Sequence, residues 1–158
     1  MQIQNKIAML LKGSGYTLSA AESCTGGQIS HLITMVSGSS EYYLGSVTSY
    51  AISVKEKVLG VPDSLIKEHG VVSTEVAGAM AQGVRALTGS TFSVATTGLA
   101  EGGDEHFPEG TVCIGVSSEW GTETMIFHCD EGRTGNIRKF AVAALKFLAN
   151  HITKHVTS

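Results

Sequence analysis

Apolar residues recur every three or four positions through much of this chain, and shorter runs rich in β-branched residues lie between these stretches. In the first stretch Ile3, Ile7, Leu10 and Leu11 share one helical face, and Gly13 then ends it. The same spacing predicts helices over residues 2–12, 28–36, 54–59, 62–69, 74–87 and 135–152. The β-rich runs predict strands over residues 17–21, 42–51, 92–96, 111–117 and 123–128.

Helices alternate with strands through most of the chain, and the last two strands are close enough to pair as a hairpin around Trp120-Gly121. This order predicts an α/β fold, a three-layer α/β/α sandwich around a mainly parallel mixed sheet with the hairpin as an antiparallel edge. The 158 residues are 42% apolar with only 2 prolines, and composition does not change along the chain. We therefore expect a single domain over residues 1–158.

Charge and cysteine content exclude several classes of partner. The net charge is −3 and the 11 lysines and arginines are scattered, so we expect no nucleic-acid partner. Three cysteines without CxxC spacing argue against disulfides and a zinc site and favour a reducing compartment, which predicts a cytoplasmic protein. The chain has neither a signal-peptide core nor an apolar stretch that would span a bilayer, so we expect no membrane association.

The segment Glu22-Ser23-Cys24-Thr25-Gly26-Gly27 carries small polar residues and two glycines where a predicted strand passes into a helix. Ligands of open α/β sheets bind at such positions. Backbone amides at the helix start favour an anion, and the glycines allow a phosphate or an oxyanion to approach the main chain. The spacing is equally compatible with an ordinary turn capped by Ser23 or Thr25.

Two further segments end predicted strands. Ser46-Val47-Thr48-Ser49-Tyr50 is followed by Lys55, so Tyr50 and Lys55 are candidates to face the same rim of the sheet. A desolvated lysine or a tyrosine can act as a base toward a serine hydroxyl, although Lys55 also reads as one of three solvated charges in Lys55-Glu56-Lys57. Thr96-Thr97-Gly98-Leu99-Ala100 ends another strand and would converge on the first segment.

Cysteine catalysis and metal binding are weaker alternatives. Cys24 is intrinsically more nucleophilic than Ser23, but no Cys/His spacing in the chain is diagnostic of a pair. Its candidate bases are His69, His106 and His128. A glycine-rich loop carries a group of residues able to hold a metal, although such groups are more often solvated: Glu101, Asp104, Glu105 and His106. We therefore predict no metal site, and we give no special role to His31, His151 and His155.

Five strings, in this order and spacing, resemble the C-terminal domain of the competence-damage-inducible CinA family: AESCTGG, SYA with VKEKVLGV, GVVS before a helix, TTGLA, and PEGTV. The resemblance covers roughly the whole chain, and AESCTGG is its most specific part. Family members of this kind are nicotinamide mononucleotide deamidases, which hydrolyse the carboxamide to nicotinic acid mononucleotide and ammonia. The resemblance implies this reaction here, with Ser23 as the nucleophile and Tyr50 and Lys55 at the positions that activate it.

The same resemblance implies a small nucleotide substrate, for which we assign eight contact residues: Glu22, Cys24, Thr25, Gly26, Gly27, Thr97, Gly98 and Arg133. The backbone amides from Cys24 to Gly27 would bind either the oxyanion or the phosphate, and the sequence does not choose between them. Arg133 is the expected phosphate partner because a guanidinium pairs two oxygens at once. We expect a homodimer and no cofactor.

The chain departs from the family pattern at three single positions, and the late Gly-Asp-Arg motif appears only as Glu131-Gly132-Arg133. Ile52 stands where an asparagine is common, Glu101 stands where Gly-Pro is common, and Glu109 replaces the usual valine before Gly110. Added carboxylates repel a phosphorylated substrate unless they point into solvent. These substitutions favour an alternative interpretation, a catalytically silent relative that binds a nucleotide for regulation or has no ligand.

Overall fold

The computed structural model of the protein describes residues 1–156. Its strands are β1 (Leu18–Glu22), β2 (Tyr43–Thr48), β3 (Phe92–Leu99), β4 (Thr111–Ser118) and β5 (Gly121–His128). Its α-helices are α1 (Ile3–Leu11), α2 (Gln28–Thr34), α3 (Ile52–Leu59), α4 (Asp63–His69), α5 (Thr74–Thr88) and α6 (Gly132–Val156), with a short 3₁₀ turn at Ser39–Glu41. The last two residues of the predicted 1–158 domain lie outside the described part.

The strands form one sheet in the order β2-β1-β3-β4-β5. The β1 strand pairs in parallel with both β2 and β3, whereas β4 pairs antiparallel with β3 and with β5. Four strands therefore point in one direction and β4 alone runs against them. This confirms the α/β prediction with its antiparallel hairpin edge, although only half of the strand pairings are parallel.

Helices cover both faces of the sheet because successive residues of the inner strands face opposite sides. Ala20 and Val94 pack against α1, α2 and α6 in the larger apolar cluster. Ala21 and Ala95, one position further along, pack against α3, α4 and α5 in a second cluster. The predicted three-layer arrangement is therefore present.

Boundaries differ from the predictions where tertiary contacts continue or interrupt an element. The β3 strand runs past Thr96 to Leu99 because Leu99 still pairs with Thr111 of β4. The β2 strand ends at Thr48 rather than at Ala51. The carbonyl groups of the next two residues, Ser49 and Tyr50, accept hydrogen bonds from the Lys55 side chain of α3 instead of pairing in the sheet. Within residues 1–156, no helix is long and apolar enough to cross a membrane.

Candidate active site

A cavity of about 280 Å³ opens at the carboxyl ends of the parallel strands. The strand register brings three segments to the same level, because Glu22 of β1 pairs with Thr48 on one side and Thr96 on the other. The residues that follow each strand therefore meet around the end of β1. From β1 the chain passes to β2 on one side of it and then to β3 on its other side, so the strand order reverses at β1, which is where open α/β folds bind ligands.

Ser23 follows β1 directly and lines the cavity with only 8% of its surface exposed. Its Oγ lies 3.0 Å from Nζ of Lys55. The same Nζ donates hydrogen bonds to the carbonyl oxygens of Ser49 at 2.7 Å and Tyr50 at 2.9 Å. Lys55 is 1% exposed, which excludes the interpretation of it as a solvated surface charge.

The environment of Lys55 favours its neutral form. Burial lowers the pKa of Lys55 below its ordinary value of 10.5. A thiolate at Cys24 would raise it again, but burial raises the pKa of Cys24 to about 12, so that thiol stays uncharged near neutral pH. The amine is therefore easier to deprotonate than a surface lysine.

Helix α3 holds Lys55 in place. Lys55 and Leu59 lie one turn apart on its buried face, and α5 packs against the end of this turn. The approach is close, because a Cβ atom added at Gly83 of α5 would come within 2.0 Å of the Leu59 carbonyl oxygen. Only glycine fits at position 83. This close contact between α5 and α3 fixes the position of α3 and therefore of the Lys55 amine.

Tyr50 contributes its main chain and its side chain in different ways. Its carbonyl holds Lys55, whereas its ring is 64% exposed at the rim of the cavity. The nearby Tyr50 phenol raises the pKa of Arg133, and the Glu101 carboxylate raises it further. The phenol thus points toward Arg133 at the rim rather than along the bond between Lys55 and Ser23.

The start of α2 is occupied by a side chain. One carboxylate oxygen of Glu22, which is buried, accepts hydrogen bonds from the Thr25 hydroxyl and from the amides of Gly27 and Ile29. The other oxygen accepts from the amide of Ser30 at 2.9 Å. The carboxylate therefore takes the place at this helix N-terminus that the sequence suggested for a bound anion.

The cavity floor is built from the end of β3. The Thr97 hydroxyl donates to the Val71 carbonyl at 2.9 Å, which ties β3 to the loop before α5. A Cβ atom at Gly98 would lie 2.6 Å from the Thr111 carbonyl oxygen and 3.1 Å from Sγ of Cys24. Gly98 is therefore required for β4 and Cys24 to approach each other beneath Ser23.

The neutral thiol of Cys24 is a poor nucleophile, because thiolate rather than thiol attacks carbonyl carbon. Its candidate bases face other groups: His69 faces Glu68 and Glu75, His106 faces Glu105, and His128 faces Thr111. The geometry thus supports Ser23 over Cys24.

Comparison with known proteins identifies the family of the chain. The family model for the CinA C-terminal domain matches residues 1–152. This chain belongs to the CinA family. The CinA domain described here is 48% identical over 138 residues to a CinA-like protein of Salinibacter ruber, covering 86% of this chain and 34% of that protein. It is 42% identical over 156 residues to a CinA-like protein of Geobacter metallireducens, covering 97% of this chain and 38% of that protein. The chain thus spans little more than a third of these relatives.

Solved structures show the same fold as this CinA domain. The crystal structure of competence damage-inducible protein A (ComA) from Klebsiella pneumoniae superposes with a TM-score of 0.92 at 28% identity, covering 98% of this chain and 96% of that one. The competence/damage inducible protein CihA from Agrobacterium tumefaciens superposes with a TM-score of 0.89 at 30% identity, covering 94% and 92%.

The cavity of the CinA domain gathers seven of the eleven site residues predicted from the sequence: Ser23, Cys24, Tyr50, Lys55, Thr97, Gly98 and Arg133. The other four do not line it. Glu22 and Thr25 are buried beneath Ser23 in the hydrogen-bond network at the start of α2. Gly26 and Gly27 form that turn with positive φ angles of 58° and 105°, which glycine adopts without strain.

The three departures from the family pattern have different surroundings. Ile52 and Glu101 line the cavity, and a Glu101 carboxylate oxygen lies 3.6 Å from Nη1 of Arg133. Glu109 is not among the lining residues and instead accepts a hydrogen bond from the Gly102 amide at 2.6 Å. Only Glu101 therefore adds negative charge to the wall of the cavity, and a cation lies beside it.

In the glycine-rich loop that carries Glu101, Asp104, Glu105 and His106, the side chains do not converge on a common point as the ligands of a metal ion would. A carboxylate oxygen of Asp104 accepts from the amides of His106 and Phe107, both at 2.8 Å. Asp104 thus stabilises its own turn, as a short acidic side chain commonly does.

Sequence reasoning missed one residue, Asn136, that supports the site through buried hydrogen bonds. Asn136 of α6 is buried; its amide donates to the Ala100 carbonyl at 2.9 Å, and its oxygen accepts from the Glu131 amide at 2.8 Å. It ties the end of β3 to the helix that carries Arg133. The only available sequence signal was a polar residue on the apolar face of a helix.

Proposed function

We propose that this CinA domain hydrolyses the carboxamide of nicotinamide mononucleotide, giving nicotinic acid mononucleotide and ammonia, with Ser23 as the nucleophile. The observation that carries the proposal is the 3.0 Å contact between the Ser23 hydroxyl and the buried amine of Lys55. A serine hydroxyl needs an adjacent base to attack an amide, and this amine is the base within reach.

As an ammonium Lys55 donates from Nζ to all three of its oxygen partners, and the neutral amine that would act as the base keeps the same three contacts with the one to Ser23 reversed. A neutral amine has two N–H groups and one lone pair, and the carbonyls of Ser49 and Tyr50 can only accept. The two N–H groups are thereby directed to the carbonyls, and the lone pair is left for the Ser23 hydroxyl. The main chain after β2 thus orients the amine, and burial supports its neutral state.

In the proposed reaction Ser23 Oγ bonds to the carboxamide carbon while its proton passes to Lys55. The carbon–nitrogen bond then breaks, Lys55 returns the proton to the leaving nitrogen, and ammonia departs. Water next attacks the acyl carbon while Lys55 accepts its proton; the bond between that carbon and Ser23 Oγ breaks, Lys55 returns the proton to Oγ, and the acid leaves as a carboxylate, giving its own proton to solvent. Each step uses the same short contact between Ser23 and Lys55.

The hydrogen bonds of Glu22 narrow the choice of oxyanion donors. Because the amides of Gly27, Ile29 and Ser30 bind Glu22, they are not offered to a ligand. The amides of Cys24 and Thr25 are not among the donors to this carboxylate and lie next to the nucleophile. They are the donors we assign to the developing oxyanion.

Arg133 is the proposed partner of the substrate phosphate. It lies at the rim with its guanidinium half exposed and next to the Tyr50 phenol. Glu101 competes for the same guanidinium, but the 3.6 Å separation and its exposure make this pair weak. A phosphate dianion displaces such a carboxylate, so Glu101 reduces affinity without closing the site.

The test is ammonia release from nicotinamide mononucleotide by the purified chain. The wild-type protein should release ammonia and the Ser23→Ala variant should not, while Ser53→Ala, a serine exposed on α3, should match the wild type. Turnover retained in Ser23→Ala would contradict the serine mechanism. A wild-type chain that binds the nucleotide without releasing ammonia would instead support the silent-relative interpretation. The homodimer and the cytoplasmic location remain predictions.

A further inference from the structure

A second group of side chains lies at the opposite end of the sheet from Ser23. Glu123 stands near the start of β5, and His151 and His155 lie on the last turns of α6. The two histidines are four positions apart and so occupy the same helical face one turn from each other, with ring centres 4.7 Å apart. One candidate ligand atom from each of the three residues lies within 4.8 Å of the others.

His151 is held so that one nitrogen faces the carboxylate. The residue is 2% exposed, and its Nε2 lies 2.7 Å from the hydroxyl oxygen of Ser118. Its Nδ1 faces a carboxylate oxygen of Glu123 in a very short contact. In this contact Nδ1–H donates to the carboxylate, and a metal ion would bind by replacing that proton.

We propose that Glu123, His151 and His155 bind a divalent transition-metal ion of the zinc type. Two imidazole nitrogens and a carboxylate oxygen form a donor set that suits Zn²⁺, with water as the fourth ligand. In this arrangement the Nε2–H of His151 donates to Ser118, which orients Nδ1 toward the metal, as the outer partner of a metal-bound histidine commonly does.

An ion would enter by displacing a proton. Lys154 pairs with the other carboxylate oxygen of Glu123, so the oxygen facing His151 has only the His151 N–H to exchange for a metal. Ligands of a tetrahedral zinc site lie about 3.3 Å apart, given metal–ligand distances of about 2.0 Å. Glu123, which is partly exposed, must therefore draw back from His151 by roughly 1 Å, and the half-buried His155 must move inward by a similar amount.

A serine hydrolase triad is the other chemistry that Ser118, His151 and Glu123 suggest. Ser118 is 4% exposed, and its hydroxyl oxygen also accepts a hydrogen bond from the Trp120 amide. Contacts with His151 and with the Trp120 amide both engage this oxygen, and Ser118 is more buried than Ser23. A metal ion needs access only along Glu123 and His155, which are both partly exposed.

Trp120 makes the site observable. It is the single tryptophan of the chain, and its ring stacks on His155 with centres 5.6 Å apart. A paramagnetic ion at the cluster should therefore quench the tryptophan fluorescence. The experiment titrates Ni²⁺ against the tag-free protein by fluorescence and Zn²⁺ by calorimetry, and expects one saturable site per chain. At a Zn²⁺ concentration a hundredfold above Kd, the Tm should rise by about 5–11 °C.

Variants separate this cluster from other histidines. His155→Ala and Glu123→Gln should remove the quenching and the Tm shift, whereas His31→Ala, on the exposed side of α2, should keep both. Ser118→Ala should weaken binding about 10- to 100-fold because it frees the His151 ring. Absence of saturable binding in the wild type, or equal binding by wild type and His155→Ala, would overturn the proposal. Neither result depends on whether the domain hydrolyses an amide.

Discussion

Replacing Lys55 by methionine separates its proposed role as a base from any role in packing. Methionine keeps the unbranched apolar stem that α3 buries, and it removes the three contacts of Nζ. A general base contributes about 10²- to 10⁴-fold to rate. Because the methionine tip fills the space beside Ser23, water has little room to replace the base, and we expect kcat to fall by about 10³-fold or more. This loss corresponds to about 4 kcal/mol of activation free energy.

The Michaelis constant should change far less, since Nζ contacts the nucleophile and two main-chain carbonyls rather than the phosphate partner Arg133. The assay follows ammonia release across substrate concentration and pH. In the wild type, kcat/KM should rise with pH because Lys55 must lose its proton to act as the base. It should level off above the pKa of Lys55, which burial lowers below 10.5. This rising limb should disappear in Lys55→Met.

Lys57→Met is the matched control, because Lys57 lies two residues further along α3 with its side chain exposed. It should keep the wild-type rate and pH profile. The reasoning is refuted if Lys55→Met is folded, judged by circular dichroism and Tm, and retains wild-type kcat. A variant with raised KM and unchanged kcat would reassign Lys55 to substrate binding.

Two further predictions concern the floor of the cavity. Cys24→Ala should keep kcat within about tenfold of the wild type in the ammonia assay, because a thiol with a pKa of about 12 is not the nucleophile. If Cys24→Ala instead loses as much turnover as Ser23→Ala, the cysteine is the nucleophile. Gly98→Ala should lower both Tm and activity, because its Cβ would lie 2.6 Å from a backbone oxygen of β4. Gly78→Ala should leave Tm nearly unchanged, because its Cβ would meet only two threonine methyl groups, at 3.4 and 3.5 Å.

The sequence predicted the layout of the fold because its local signals agree with the tertiary structure. Ser73 illustrates this agreement: a serine directly before the predicted helix 74–87 is a typical cap, and its hydroxyl accepts from the Val76 amide at 3.2 Å. The convergence of the segments after β1, β2 and β3 also followed from the sequence, since parallel strands end at one edge. Helix ends were less accurate, as α6 begins at Gly132 and runs through Gly135 where glycines suggested a later start.

The partners of individual atoms were not predictable from spacing. Glu22 was assigned to the substrate, yet its carboxylate is buried at the start of α2, a placement that depends on the turn geometry of Gly26 and Gly27. The spacing also did not show that Tyr50 contacts Lys55 through its main-chain carbonyl while its ring is exposed at the rim. Glu123 and His151 are 28 residues apart and meet only because the hairpin packs against α6, so no local motif marks them.

The carboxylate of Glu22 has a consequence for how the site responds to substrate. Helix N-termini that bind phosphate often depend on the ligand to satisfy their amides, so the loop is ordered only when it is occupied. Here an internal carboxylate satisfies those amides, and the Thr25 hydroxyl links it to Thr96 at 2.8 Å. The turn that presents Ser23 is thus preorganised, and substrate binding has no ordering entropy of this loop to overcome.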